Sequence, residues 1–203
     1  MRQAILTGMQ HRIKNTLAMV GAIANQTMRG DNVTVARDAF SARLMILGKA
    51  HDILTQTSWT SAPVQEVVVA ALAPHRTGDR RIHFGGPDLQ LGPKPALALA
   101  LAVHELATNA VKYGALSTSG KVEIVWSNGE DETEPGFRFR WTESGGPPVT
   151  EPSKDEKGFG SRLIERVLAN DFGGEARTFY RSSGLVFELV APQIRPAKLT
   201  ISG

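Results

Sequence analysis

The stretch Ala102-Val103-His104-Glu105-Leu106-Ala107-Thr108-Asn109-Ala110-Val111-Lys112-Tyr113 continues an apolar run that begins at Ala96. Read as a helix from about Lys94 to Tyr113, stopped by Gly114, it sets Glu105 and Asn109 four residues apart. They therefore share one face. His104 and Thr108 form a second such pair beside them. An ionised carboxylate in an apolar helix is costly unless something compensates it. A divalent cation carrying phosphates would do so. Carboxylate and amide oxygens suit Mg²⁺, which also keeps waters and takes oxygens from phosphates. The helix thus suggests a nucleoside triphosphate site; the plainer alternative is two polar residues on a solvated face.

Outward from this helix, the C-terminal half alternates strands and helices. Val64 to Ala73 reads as a short apolar helix, and Arg81 to Phe84 as a strand closed by Gly85-Gly86-Pro87. Lys121 to Trp126 and Phe137 to Trp141 alternate like strands, joined by a polar loop from Asn128 to Gly136. Ser144 to Lys157 is rich in Gly, Pro and charge and reads as a mobile loop. Phe159 to Asn170 reads as a helix stopped by Gly173-Gly174, and Glu175 to Arg181 with Leu185 to Val190 as a final hairpin. This pattern predicts an α+β layer, helices on one face of a mixed sheet.

The N-terminal part differs. Leu6, Met9, Ile13, Thr16, Val20, Ile23 and Thr27 repeat at alternating three and four spacing, an a/d seam. Gly30-Asp31-Asn32 breaks that helix, and a second runs from about Val33 to Thr57 with the seam Phe40, Leu44, Leu47, His51 and Leu54. Two amphipathic helices with a short connection make a hairpin that needs a second copy or the next domain to cover its seam. The expected organisation is a helical hairpin over residues 1–60, a second domain over 61–192 and a tail over 193–203 without fixed structure. The stretch from Thr57 to Pro63 would be a hinge between the two domains.

Composition narrows the classes. The chain has 203 residues, 41% of them hydrophobic, enough for a domain and an appendage. The absence of cysteine excludes disulfides and thiolate chemistry. The net charge of +3 and the lack of an aromatic-interleaved basic patch give no case for nucleic acid. The segment from Ala96 to Val111 is too short and polar to span a bilayer, and no signal-peptide pattern opens the chain. A cytoplasmic location, or the soluble end of something larger, is expected.

Three further constellations bear chemistry. Gly158-Phe159-Gly160-Ser161-Arg162-Leu163 ends the mobile loop and opens a helix. Glycines let backbone approach a phosphate, and a helix N-terminus offers N–H groups and a positive dipole end; an ordinary loop with a helix cap is the alternative. Trp141-Thr142-Glu143-Ser144-Gly145-Gly146 puts a carboxylate at a strand end, where it could accept from an exocyclic amine, with glycines that let a flat base lie close; a charged strand-to-loop transition is the alternative. His11, in His11-Arg12-Ile13-Lys14-Asn15, lies between seam residues Met9 and Ile13, so helical geometry turns it off the seam. A free imidazole near neutral pKa can act as a nucleophile, and Arg12 and Lys14 add charge where a phosphate would arrive. A surface histidine on a basic helix is the alternative. His51 falls on a seam and reads as packing, and His75 and His83 show no partner pattern.

Together these blocks, in this order, resemble a sensor histidine kinase of the HWE family, whose ATP-binding domain has the GHKL (Bergerat) α/β sandwich fold. His104 matches the H of that name, Trp141 the W and Glu143 the E. His11 to Ala18, Arg43-Leu44 through Ala50-His51-Asp52 with Trp59, and Gly158 to Glu165 followed by Gly173-Gly174 carry the rest. The resemblance runs from about Leu6 to Val190. It implies that His11 attacks the γ-phosphorus of ATP and carries the phosphoryl group. It implies that Asn109 binds Mg²⁺ while Glu105 supports the metal or its water, with His104 beside them. Lys112 and Tyr113 would lie near the phosphates and ribose, Glu143 would replace the usual aspartate on the adenine amine, and Gly145 would let the base sit close. Gly158, Gly160, Ser161 and Leu163 would form the phosphate-side block, and Ser144 to Lys157 a shortened lid. The implied partners are a response-regulator receiver domain, a sensor domain or sensor protein, and a second copy through the hairpin, with a monomer packed in cis as the alternative. A phosphotransfer adaptor or an interaction module of kinase-like fold is the competing reading. The chain departs from the family at Gly8 and Met9, where an acidic residue and a leucine usually stand.

Overall fold

Helix α2 (Val64–Leu72) shows why the second half of the chain folds as a layer: its buried side chains are Val64, Val67, Val68, Ala71 and Leu72. That is the stripe of a helix lying on a core. In the computed structural model, residues 20–21, 24, 33–57, 60–75, 80–129, 136–149 and 159–194 are described. The chain divides into two compact units, Met1–Met45 and Ile46–Gly203, a break that falls inside helix α1 (Val33–Gln56).

The elements after α1 and before the central helix are β1 (Ala62–Pro63), α2, a 3-10 turn (Ala73–His75), β2 (Ile82–Gly85) and β3 (Gln90–Leu91). Helix α3 (Pro93–Lys112) follows, then a second 3-10 turn (Ala115–Ser117), β4 (Lys121–Gly129), β5 (Gly136–Ser144), α4 (Phe159–Phe172), β6 (Glu175–Arg181) and β7 (Gly184–Ala191). The large sheet has the order β2-β4-β5-β7-β6. Among the described strands only β2 and β4 pair in parallel; the other neighbours are antiparallel. A parallel pair needs a crossover, and α3 supplies it.

One face of the sheet is apolar. Val122, Ile124 and Trp126 alternate with exposed Lys121, Glu123 and Val125 along β4, and Phe137, Phe139 and Trp141 line β5. Helix α3 packs beside α2 and α4. From Ala96 to His104 it is buried almost all round, where Ala96, Ala98, Ala100 and Ala102 allow close approach. Phe172 of α4 stacks on Phe137 of β5 with ring centroids 5.4 Å apart. The α+β layer expected from the sequence is the observed one.

Three details differ from the sequence reading. Strands β4 and β5 run on to Gly129 and Ser144, past the apolar alternation. One of the extra polar residues, Asn128, is satisfied there: its amide donates to Ile194 O (2.9 Å) and accepts from Ile194 N–H (3.1 Å). A small second sheet, β1 with β3, sits where only a linker was expected. His51 is exposed rather than packed. Ile46, Leu47, Ala50 and Leu54 are the buried residues of that part of α1, so Ala50 takes the seam position one residue before His51. Apart from residues 20, 21 and 24, the first helix of the expected hairpin lies outside the described residues, as do residues 150–158 and those beyond Ile194.

Candidate nucleotide site

Glu105, Asn109, Lys112 and Tyr113 lie along the C-terminal half of α3 and at its cap. Lys112 is the last helical residue and Tyr113 the C-cap, and the N–H groups of Tyr113 and Gly114 both donate to Asn109 O, at 2.8 and 3.0 Å. Glu105, Thr108 and Asn109 are half-buried, whereas Lys112 and Tyr113 are exposed. The polar face of α3 therefore opens toward solvent at the helix end that was read as the metal face. Its donor set is one carboxylate and one amide. That suits an ion which completes its shell from water and phosphate.

Glu143 is the most constrained residue of the site. It stands one residue before the end of β5, on the face shared with Trp141, and is only 3% exposed. Ala115 N–H donates to its Oε2 at 2.7 Å, and the Trp141 indole N–H to its Oε1 at 3.2 Å. Burial raises its pKa, and those two hydrogen bonds oppose the rise. The carboxylate thus ties β5 to the turn that follows α3. Each carboxylate oxygen can accept more than one bond, so an exocyclic amine remains within its capacity.

Glycines allow this approach. A methyl on Gly114 would overlap Glu143 Oε2, and one on Gly146 would overlap the backbone of Ala115. Gly145 has φ +70° and little around the place of its missing side chain. The sequence assigns close approach to Gly145; the close contacts belong instead to Gly114 and Gly146, whose signals are a glycine just past a helix and a second glycine after Glu143, and to Gly184, where a methyl would overlap the Glu143 backbone. A Gly114→Ala variant should lose about 1–3 kcal/mol of stability through overpacking, read by chemical denaturation.

His104 is buried at 5% exposure. Its Nδ1 lies 3.2 Å from Nε2 of His75, which closes the 3-10 turn after α2. Sequence reasoning missed this partner because His75 and His104 are 29 positions apart with no spacing rule between them. Burial lowers the His75 pKa, opposed by the charge of Glu105.

Of the remaining expected residues, Gly160 lies in the first turn of α4. The side chains of Ser161 and Leu163 are outside the description, and His11 and Gly158 lie outside the described residues altogether. Among the described residues no helix is long and apolar enough to cross a membrane.

Residues 8–88 match the family described as HWE histidine kinase. The chain is 44% identical over 185 residues to a blue-light-activated histidine kinase of Brucella ovis, and 41% identical over 185 residues to the Brucella anthropi protein of the same description. Each match covers 90% of this chain, which spans 37% of the length of those relatives. Among solved structures, the blue-light activated histidine kinase of Erythrobacter litoralis EL346 is similar with a TM-score of 0.67 at 21% identity, over 92% of this chain and 58% of that one. The catalytic domain of histidine kinase ThkA is similar with a TM-score of 0.52 at 19% identity, over 67% of this chain and 98% of that one. At such identities the two structures speak to the fold, that of histidine kinase catalytic domains.

Proposed function

We propose, for a chain that belongs to the HWE histidine kinase family, that it phosphorylates its own His11 from Mg-ATP and passes the phosphoryl group to an aspartate of a response-regulator receiver domain. The observation that carries the reading is the Glu143–Ala115 bond, which joins the carboxylate of β5 to the end of the helix bearing Glu105 and Asn109. A base-recognising group and a metal-binding face are thereby neighbours in one fold.

In this reading residues 61–192 hold ATP and residues 1–60 form the phosphoacceptor hairpin, with 193–203 as a tail. Asn109 would hold Mg²⁺ through its amide oxygen, and Glu105 would order a water of its shell; the ion supplies positive charge to the triphosphate. Glu143 accepts from the adenine amine while Gly145 leaves room for the base. Lys112 and Tyr113 border the phosphates and ribose, and Gly158, Gly160, Ser161 and Leu163 border the phosphates from the start of α4. An imidazole nitrogen of His11 forms a bond to the γ-phosphorus as the bond to the β–γ bridging oxygen breaks, and ADP leaves with that electron pair. The resulting P–N bond is reactive enough for transfer to a carboxylate. Catalysis of this kind is mostly positioning and charge stabilisation. A cytoplasmic kinase that dimerises through its hairpin and takes its signal from a sensor domain or sensor protein completes the proposal.

Incubation with γ-labelled ATP and Mg²⁺ tests it. Acid-labile phosphate should appear on the chain without any added kinase. Labelling only after a donor kinase is supplied would identify a phosphotransfer adaptor instead.

A further inference from the structure

His75 and His104 make a contact that the nucleotide reading does not use. Their rings are 5.1 Å apart between centroids and tilted by 40°, with His75 Nε2 at 3.2 Å from His104 Nδ1. A nitrogen-to-nitrogen contact of this length holds one proton, so one ring donates and the other accepts. The neighbouring hydroxyl decides which. Thr108 Oγ1 lies 2.8 Å from the carbonyl of His104, four residues back, and that oxygen can only accept. The Thr108 proton is committed there. The same Oγ1 lies 3.4 Å from His75 Nε2 and presents lone pairs to it. His75 Nε2 thus meets an oxygen whose proton is spent elsewhere, which places the shared proton on His75 Nε2 and leaves His104 Nδ1 to accept.

We propose that His75 is a positioning residue that fixes the ring of His104 with its lone pair on Nδ1 and its proton on Nε2. The order of donation is His75 Nε2–H to His104 Nδ1, with Thr108 Oγ1 as the second acceptor. His104 therefore acts on the rest of the site as a donor through Nε2–H, from a ring held at a set angle immediately before Glu105. A buried imidazole whose second nitrogen is held in this way has one tautomer and one orientation. The kinetic consequence rests on the ATP reading; the tautomer does not.

Nitrogen-15 NMR of the nucleotide-free chain tests the assignment directly. His104 should show a pyridine-type Nδ1 and a pyrrole-type Nε2; the reverse pattern overturns the proposal. In His75→Leu the His104 signals should move to a tautomer mixture, while His75→Gln, whose amide can donate from a similar place, should keep the single form. Thr108→Val should loosen it without touching either ring. Autophosphorylation should fall about tenfold in His75→Leu, mainly in kcat, and stay within about twofold in His75→Gln. An unchanged His104 tautomer or an unchanged rate in His75→Leu overturns the positioning role. Titration of the wild-type sample with ATP separates the two readings: a single His104 tautomer in a chain that binds no nucleotide supports this assignment and sinks the ATP site.

Discussion

His11→Ala and Asn109→Ala should both abolish self-labelling with ATP, yet they should differ in what survives. His11→Ala removes the acceptor. The chain should incorporate no acid-labile phosphate while binding Mg-ATP with the wild-type affinity. Asn109→Ala removes the amide oxygen proposed to hold the ion. It should cut Mg²⁺-dependent ATP affinity or the labelling rate by about 100-fold or more, the order found when a single positioned group is removed from a charged transition state. Asn109 is half-buried and its side chain fills no core position. Its backbone carbonyl, which accepts from Tyr113 and Gly114, survives the substitution, so the fold and its melting point should be little changed. Calorimetry with ATP, with and without Mg²⁺, alongside the labelling assay reads both variants. Acid-labile phosphate in His11→Ala would move the acceptor elsewhere. Normal Mg-ATP binding by Asn109→Ala would remove the ion from α3.

The α3 helix was legible because its apolar length leaves Glu105 and Asn109 as exceptions to its pattern, and exceptions carry information. The sheet was legible through its alternation: Val122, Ile124 and Trp126 alternate with charged Lys121 and Glu123, although the exposed Val125 breaks the polar side of the pattern. What stayed hidden depends on long-range pairing. Ala62 and Pro63 have no strand pattern and become β1 only because Leu91 and Gln90 lie opposite. His51 and Ala50 are both one helical step from the same seam, and burial rather than spacing selects Ala50. The His75–His104 contact joins two elements that no periodicity connects. Glu143 was read as an amine acceptor at a strand end. Its bonds to Ala115 and Trp141 required the fold, because Ala115 offers only a backbone N–H, which no side-chain pattern announces.

Those two bonds make the removal of Glu143 costly in stability. Glu143→Ala leaves the Ala115 N–H and the Trp141 indole N–H buried without an acceptor, each an expensive loss, and opens a void beneath Gly114. A destabilisation of about 3 kcal/mol or more is expected. Glu143→Gln keeps the shape but turns an amide NH₂ toward one of the two donors, so a smaller deficit follows. Its pH dependence has a definite sign. Burial raises the Glu143 carboxyl above its ordinary value, against the two hydrogen bonds, so the folded chain holds that proton more tightly than the unfolded one. The stability this contributes is fully present below the ordinary glutamate value of about 4.3 and is lost as pH rises through the folded value. The glutamine variant has no such titration. The advantage of wild type over Glu143→Gln should therefore be greatest in acid, shrink as pH rises above about 4.3, and level off once the carboxyl is ionised. Paired urea titrations across that range measure it, and an advantage that grows with pH contradicts the account. ATP affinity supplies the functional arm: at neutral pH the glutamine variant should bind ATP about tenfold more weakly, the scale of one hydrogen bond to a charged group. Because the void and the orphaned donors of Glu143→Ala would weaken binding through the fold alone, the glutamine variant, compared at matched stability, is the one that tells recognition of the base from support of the turn.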